Sequence, residues 1–207
     1  MSDADGAASR GRKARQLMEG ARKVFMERGF EGASVDEIAR AAGASKATLY
    51  SYFPDKRQLY EAVMQAGCRR EAGVRVARRH PDEALEPALH RIALGLADFV
   101  LSPGALEMFR AGIAEAARFP DLGRAFYDAG PGRVRGELVA FLDDAVGRGE
   151  LAIEDSGLAA DQFAALCKAR LFLWALLGSE TPPSEAEIAT VAREAVLTFL
   201  ARYRAPA

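Results

Sequence analysis

Two helix-start signals stand eleven residues apart, at Ser34 and Ser45, with one glycine, Gly43, between them. At the first, Ser34 and Glu37 are spaced as a capping box: the hydroxyl accepts from the amide three residues on, and the carboxylate reaches back to the serine amide. Val35, Ile38, Ala39 and Ala42 then recur at helical spacing as an apolar stripe. Gly43 ends that short helix, because a glycine takes positive φ without steric cost. Ser45 caps the next, which carries Lys46, Thr48, Leu49, Tyr50, Tyr52 and Phe53 until Pro54 closes it. An earlier helix shows Leu17, Ala21, Val24 and Phe25 on one face and stops at Gly29. Three short helices, the second and third joined by a glycine turn, constitute a helix-turn-helix.

The helical period persists to the end of the chain. Asp55 caps a fourth helix expected from Lys56 to about His80, with Leu59, Val63 and Ala66 inward and Arg69, Arg70, Arg75, Arg78 and Arg79 towards its end, where positive charge also suits the dipole. Stripes of Leu85, Leu89, Ile92, Leu96, Phe99 and Val100, then Met108, Phe109 and Ile113, then Leu122 and Phe126, then Val134, Leu138, Phe141 and Leu142 follow. They are interrupted at Ser102–Gly104, Pro120 and Gly130–Gly132. Two long helices, Leu158 to Leu177 and Ser184 to Arg204, close the sequence, the second opened by another capping box of Ser184 with Glu187. No alternating strand pattern intervenes. The fold class expected is all-α, with about nine helices.

Composition narrows the function. Half of the 207 residues are hydrophobic and 28% are charged, which excludes wholesale disorder. The longest apolar run, Leu171 to Leu177, is far short of the roughly 20 residues that span a bilayer. Residues 1–11, with Asp3 and Asp5, read as a loose polar tail and not as a signal peptide, so the expected location is the cytoplasm with no membrane partner. Cys68 and Cys167 are then expected as reduced thiols. The net charge of −1 conceals a split: residues 1–80 hold 16 Lys and Arg against 10 Asp and Glu, and the remainder 12 against 19. A basic head on an acidic body suits a polyanion at the first part. No Walker loop, HExxH, serine elbow or metal-spaced cysteine pair occurs, and His80 and His90 sit in no nucleophile or metal pattern. Neither an enzyme nor a cofactor or metal is expected.

A helix-turn-helix explains the residue types around Ser45. The major groove of duplex DNA admits one α-helix, whose first residues must be small or polar enough to meet base edges. Here they are Ala44, Ser45, Lys46, Ala47 and Thr48. Hydroxyls, phenols and helix starts fix register on the phosphates, and Ser34, Tyr52 and Lys56 fit that description. Lys56 at a helix start opposes the dipole unless something anionic is near, which favours a phosphate. Tyr50 either packs half-buried against the first helix or reads a base. The rival reading is a helical interaction module that has lost DNA, against which Lys46, Thr48, Tyr52 and Lys56 argue.

The run from Ser34 to Val63, SVDEIARAAGASKATLYSYFPDKRQLYEAV, resembles the DNA-binding domain of the TetR family of bacterial transcriptional regulators, above all in its TLYxYFxxKxxL core from Thr48 to Leu59. The resemblance implies that Lys46, Ala47 and Tyr50 face bases while Ser34, Thr48, Tyr52 and Lys56 hold phosphates. It implies a layout of tail (1–11), helix-turn-helix domain (12–57) and a helical domain (58–207) that dimerises and often holds a small molecule. The function expected is a homodimeric repressor released from a palindromic operator by a small apolar or aromatic effector. Phe163, Leu166, Arg170, Leu173, Leu177, Val191, Ala195 and Phe199 form stripes wide enough for a dimer interface, or else close the monomer's own core. Phe99, Met108, Phe109, Phe126, Tyr127, Phe141 and Trp174 either line an effector pocket or are core.

Overall fold

The computed structural model describes residues 2–71, 79, 82–179 and 181–206, with the side chains of 2–10 and 68–71 outside the description. The side chains of Cys68, Arg69 and Arg70, and Arg75 and Arg78 entirely, therefore lie outside the description, whereas Arg79 is within it. The helices are α1 (Ser2–Gly32), α2 (Val35–Ala41), α3 (Lys46–Tyr52), α4 (Lys56–Glu71), α5 (Leu85–Leu101), α6 (Pro103–Ala116), α7 (Pro120–Ala129), α8 (Pro131–Gly147), α9 (Ser156–Lys168), α10 (Phe172–Leu176) and α11 (Glu185–Tyr203). Among the described residues the sole strand-like pairing is an isolated bridge between Leu151 and Arg204. The all-α expectation holds. No single described helix is long and apolar enough to cross a membrane.

Two helices differ from their sequence expectation. α1 opens at Ser2, ahead of Arg12, through the stretch expected to be a loose tail. Its alanines are strong helix formers. The expected helix from Leu158 to Leu177 is broken between α9 and α10, where Arg170 takes φ 69°. A left-handed arginine costs roughly 1–2 kcal/mol. The break leaves Leu171 and Ala175 buried while Leu173, Trp174 and Leu177 point outward.

The chain packs as two units. One unit comprises residues 1–68 with 107–129, the other 69–106 with 130–207. The first three helices cannot close a core alone, and the end of α6 with α7 supplies the missing surface. Met108, Leu122 and Phe126 join Leu17, Ala21, Phe25, Ile38, Leu49, Leu59 and Tyr60 in one buried cluster. Polar ties hold the addition in place: Arg22 pairs with Glu107 at 2.9 Å, the Phe30 amide donates to Glu115 Oε1 at 2.7 Å, and Arg118 pairs with Glu31. Phe25 and Phe30 each meet the Tyr60 ring edge-on, at 5.1 and 5.3 Å, and Phe119 meets Phe30 edge-on at 5.1 Å.

In the second unit α5 packs against α9 and α11, and α8 against α9. Its core gathers Leu89, Ile92, Leu138, Leu142, Phe163, Ala195, Val196 and Phe199, with the Phe163 and Phe199 rings 5.0 Å apart. Cys167 is a buried free thiol, and burial pushes its pKa up to about 12, so it is inert. Arg79 is paired with Glu150, Nη2 to Oε1 at 2.8 Å, which makes at least this member of the arginine cluster structural.

Two outcomes follow for stability. The Tyr60 hydroxyl is buried without a hydrogen-bond partner, and desolvation, aided by Glu115, raises its pKa from 10.0 to about 12. The folded state therefore keeps a proton that the unfolded chain releases, so stability is intact below pH 10 and declines as pH rises towards 12. Tyr60→Phe is expected to raise stability by about 1 kcal/mol at neutral pH and to flatten this alkaline loss, as read by denaturant unfolding at a series of pH values. In Gly20→Ala the new methyl would lie 2.6 Å from the Ala42 backbone, whereas at Gly136 it would meet nothing within 4 Å. Gly20→Ala is expected to cost about 1–3 kcal/mol and Gly136→Ala to gain about 0.5–1 kcal/mol, checked by the same unfolding measurement.

Candidate nucleic-acid interface

The local geometry of α2 and α3 is fixed at each terminus. The Ser34 hydroxyl accepts from the Glu37 amide at 3.1 Å, and the Glu37 carboxylate accepts from the Ser34 amide at 3.2 Å and from its hydroxyl at 2.9 Å. These bonds favour the charged form and hold the Glu37 carboxyl below its ordinary pKa. At the other end Ala44 N–H reaches the Ala39 carbonyl and Gly43 N–H the Arg40 carbonyl, the paired bonds of a Schellman motif, with Gly43 at φ 57°. Gln16 on α1 donates to the Ala42 carbonyl at 2.7 Å, so the turn is pinned from beneath as well. Ser45 then caps α3 by accepting from the Thr48 amide at 3.1 Å.

This frame decides what α3 presents. Leu49 is anchored in the core, while Lys46, Ala47 and Tyr50 share the exposed side, Tyr50 with 47% of its surface free. A Tyr50 ring with about half of its surface free fits both packing and base reading. Ala44 and Thr48 are half-buried at the rim, and Ser45 is exposed. The Ser45 and Thr48 hydroxyls lie 2.9 Å apart, so one donates to the other and the second keeps its proton for an outside acceptor. Tyr52 is half-buried, its ring packed against the first unit's core.

Lys56 is more committed than its sequence position suggests. Its ammonium donates to the Glu31 carbonyl at 3.3 Å and the Ala33 carbonyl at 3.0 Å, and lies 4.6 Å over the Phe30 ring. These two carbonyls, past the kink in α1 at Gly29, supply electronegative partners for this lysine, and one of its three N–H groups remains for an outside acceptor. The Ser34 hydroxyl proton is likewise held by Glu37. Asp36, which no motif in the sequence singles out, stands beside this face and pairs with Lys46 at 2.8 Å. An acid in the first turn of α2, ten residues before a lysine across a tight turn, was the available signal.

The residues considered for an effector fall in separate places. Met108, Phe109 and Phe126 pack in the first unit's core and Phe99 and Phe141 in the second's, while Tyr127 and Trp174 are exposed. Trp174 borders a groove of about 730 Å³ with Arg170, Leu171, Leu177, Pro182 and Pro183. Of the residues considered for a dimer interface, Phe163, Ala195 and Phe199 are buried within the second unit, Leu166 and Val191 are half-buried, and Arg170, Leu173 and Leu177 are exposed.

Comparison with known proteins agrees with this geometry. Residues 17–63 match the model for bacterial regulatory proteins of the tetR family, and residues 87–205 match the C-terminal domain of AefR-like transcriptional repressors. The chain is 50% identical over 50 residues to the transcriptional activator FasR of Mycolicibacterium smegmatis, covering 24% of this chain and 23% of that protein. It is 37% identical over 59 residues to the transcriptional repressor AcnR of Corynebacterium glutamicum, covering 28% and 31%. It thus spans about a quarter to a third of the length of these curated relatives. The solved structure of the Flavonoid-responsive Regulator FrrA is similar throughout, with a TM-score of 0.82 and 34% identity over 95% of this chain and 100% of that one.

Lys56→Ala removes two hydrogen bonds and a cation–π contact as well as a charge. It is expected to lower stability by about 1–2 kcal/mol while weakening DNA binding alike for all sequences. Thermal unfolding set beside duplex affinity checks this, and an unchanged melting temperature would show that the carbonyl contacts carry no weight.

Proposed function

Since the chain belongs to the TetR family of bacterial transcriptional regulators, we propose that it acts as a homodimeric repressor on a palindromic operator in the cytoplasm. The observation that carries the reading is the exposed edge of Lys46, Ala47 and Tyr50 on a helix capped at Ser45 and anchored by Leu49. In this reading those three face base edges in the major groove, and Ser34, Ser45, Thr48, Tyr52 and Lys56 hold the flanking phosphates. A helix of seven residues reads only a few base pairs. A two-fold pair, with reading helices about 34–36 Å apart, reads both halves of an inverted repeat.

The second unit supports pairing. Leu173, Trp174 and Leu177 are 64–74% exposed on and beside α10, and Leu197 on α11 is half-exposed. Large apolar side chains left outside in this way mark an interaction surface. Arg170, Leu166 and Val191 border the same helices, while Phe163, Ala195 and Phe199 support them from within. Repression, as opposed to activation, is favoured by the match of residues 87–205 to a repressor domain and by the likeness to AcnR. A small aromatic effector is favoured by the full-length likeness to a flavonoid-responsive regulator. Tyr127 and Trp174 are open to such a ligand, whereas Met108, Phe126 and Phe141 reach one only if their cores open. An effector releases DNA to the extent that it prefers the conformation with misplaced reading helices.

Titration of duplex DNA at a series of salt concentrations tests the reading. Affinity is expected to fall steeply as salt rises, because phosphate contacts displace bound cations. Salt-independent binding, or none in dilute buffer, would contradict it. Leu173→Glu with Leu177→Glu is expected to convert a dimer to monomers in sedimentation and to weaken operator binding by about a hundredfold or more.

A further inference from the structure

We propose that Asp36 is a specificity-determining residue, holding the Lys46 ammonium in the DNA-free protein and releasing it only to a base edge that outcompetes a carboxylate. The inference rests on the DNA-binding reading above. Lys46 is the first residue of α3, and no acidic residue stands in that helix's first turn. Its positive charge is therefore added to the positive end of the helix dipole, a placement that calls for an anion. In the free protein the anion is Asp36, whose Oδ1 accepts from Lys46 Nζ at 2.8 Å. The neighbouring Glu37 is engaged in the Ser34 capping box and is not the partner. Both members of the pair are more than half exposed, 54% and 63%, so water screens the attraction and a better acceptor displaces it readily.

The location gives this exchange its consequence. The pair links the starts of α2 and α3, so on the DNA-binding reading the Asp36 carboxylate comes close to the phosphates. Lys46 is long and flexible, and by itself would settle on any phosphate within reach. With Asp36 in place it already has an anion, and an approaching phosphate meets a negative charge. A guanine presents two acceptors, O6 and N7, and is the base edge best matched to a lysine. Sites lacking that acceptor at the matching position leave Asp36 repelling DNA, which makes the residue a penalty on wrong sequences.

A double-mutant cycle tests this with the full-length protein and two duplexes, the one recovered by selection from random DNA and one of scrambled sequence. Affinities are measured at fixed salt for the parent chain, Asp36→Asn, Lys46→Gln and the pair together. Asp36→Asn is expected to tighten binding to the scrambled duplex by about five- to tenfold, on the scale of one charge beside the phosphates, and to the selected duplex by less. In the Lys46→Gln background the same change should alter both duplexes by one factor. The inference is overturned if Asp36→Asn shifts both duplexes equally in the parent chain, or if its preference survives without Lys46. If the parent chain binds neither duplex, the DNA-binding reading falls and this inference with it. Because Asp36 also suits the α2 dipole, thermal unfolding of each variant accompanies the titrations. A variant that melts below the assay temperature is replaced by Asp36→Gln, which lacks the charge and has the higher helix propensity.

Discussion

The contact between α1 and the end of α2 carries the geometry on which the rest depends. Gly20 brings the α1 backbone so close to Ala42 that no side chain fits between them, and Gln16 closes the same joint with a bond to the Ala42 carbonyl. Directly above it Gly43 turns the chain by the paired bonds of a Schellman motif, and Ser45 starts α3 within two residues. With so few rotatable positions left, the direction of α3 is set by packing and not by its own propensity. Seven residues would not form a stable helix alone.

Preorganisation extends to the polar side chains. Ser34 is bound to Glu37, Ser45 to Thr48, Lys46 to Asp36, and Lys56 to two carbonyls. The candidate DNA-binding face is thus already hydrogen-bonded to itself, and in the proposed function association exchanges one set of partners for another. Net gain then depends on how well each DNA acceptor compares with the internal one, which is a basis for discrimination as well as affinity.

Much of this was legible in the residues. The capping boxes at Ser34 and Ser184, the stop at Gly43 and the breaks at Ser102, Pro120 and Gly130 all appear where the spacing places them, because each is a local preference of a few residues, while Gly29, at φ 71°, kinks α1 three residues before its end. The break at Arg170 was not legible, since no glycine or proline marks it and tertiary burial of Leu171 and Ala175 stands against the local cost. Nor was the division into units. The stripe of Met108, Leu122 and Phe126 shows that these residues are buried, but periodicity does not say against which helices. The roles of Lys46 and Lys56 were half visible for the same reason. A sequence shows that a cation at a helix start needs an anion, while only the fold shows that Asp36 and the end of α1 are near enough to serve.

The outward edge of α3 is the surface proposed to distinguish one base sequence from another. Selecting bound duplexes from a random pool, in parallel for the parent chain and for Tyr50→Ala, addresses it most directly. The account predicts an inverted repeat for the parent chain, and for the variant a repeat altered at equivalent positions in both halves. Identical repeats from the two proteins, or no recurrent sequence from the parent, would contradict it.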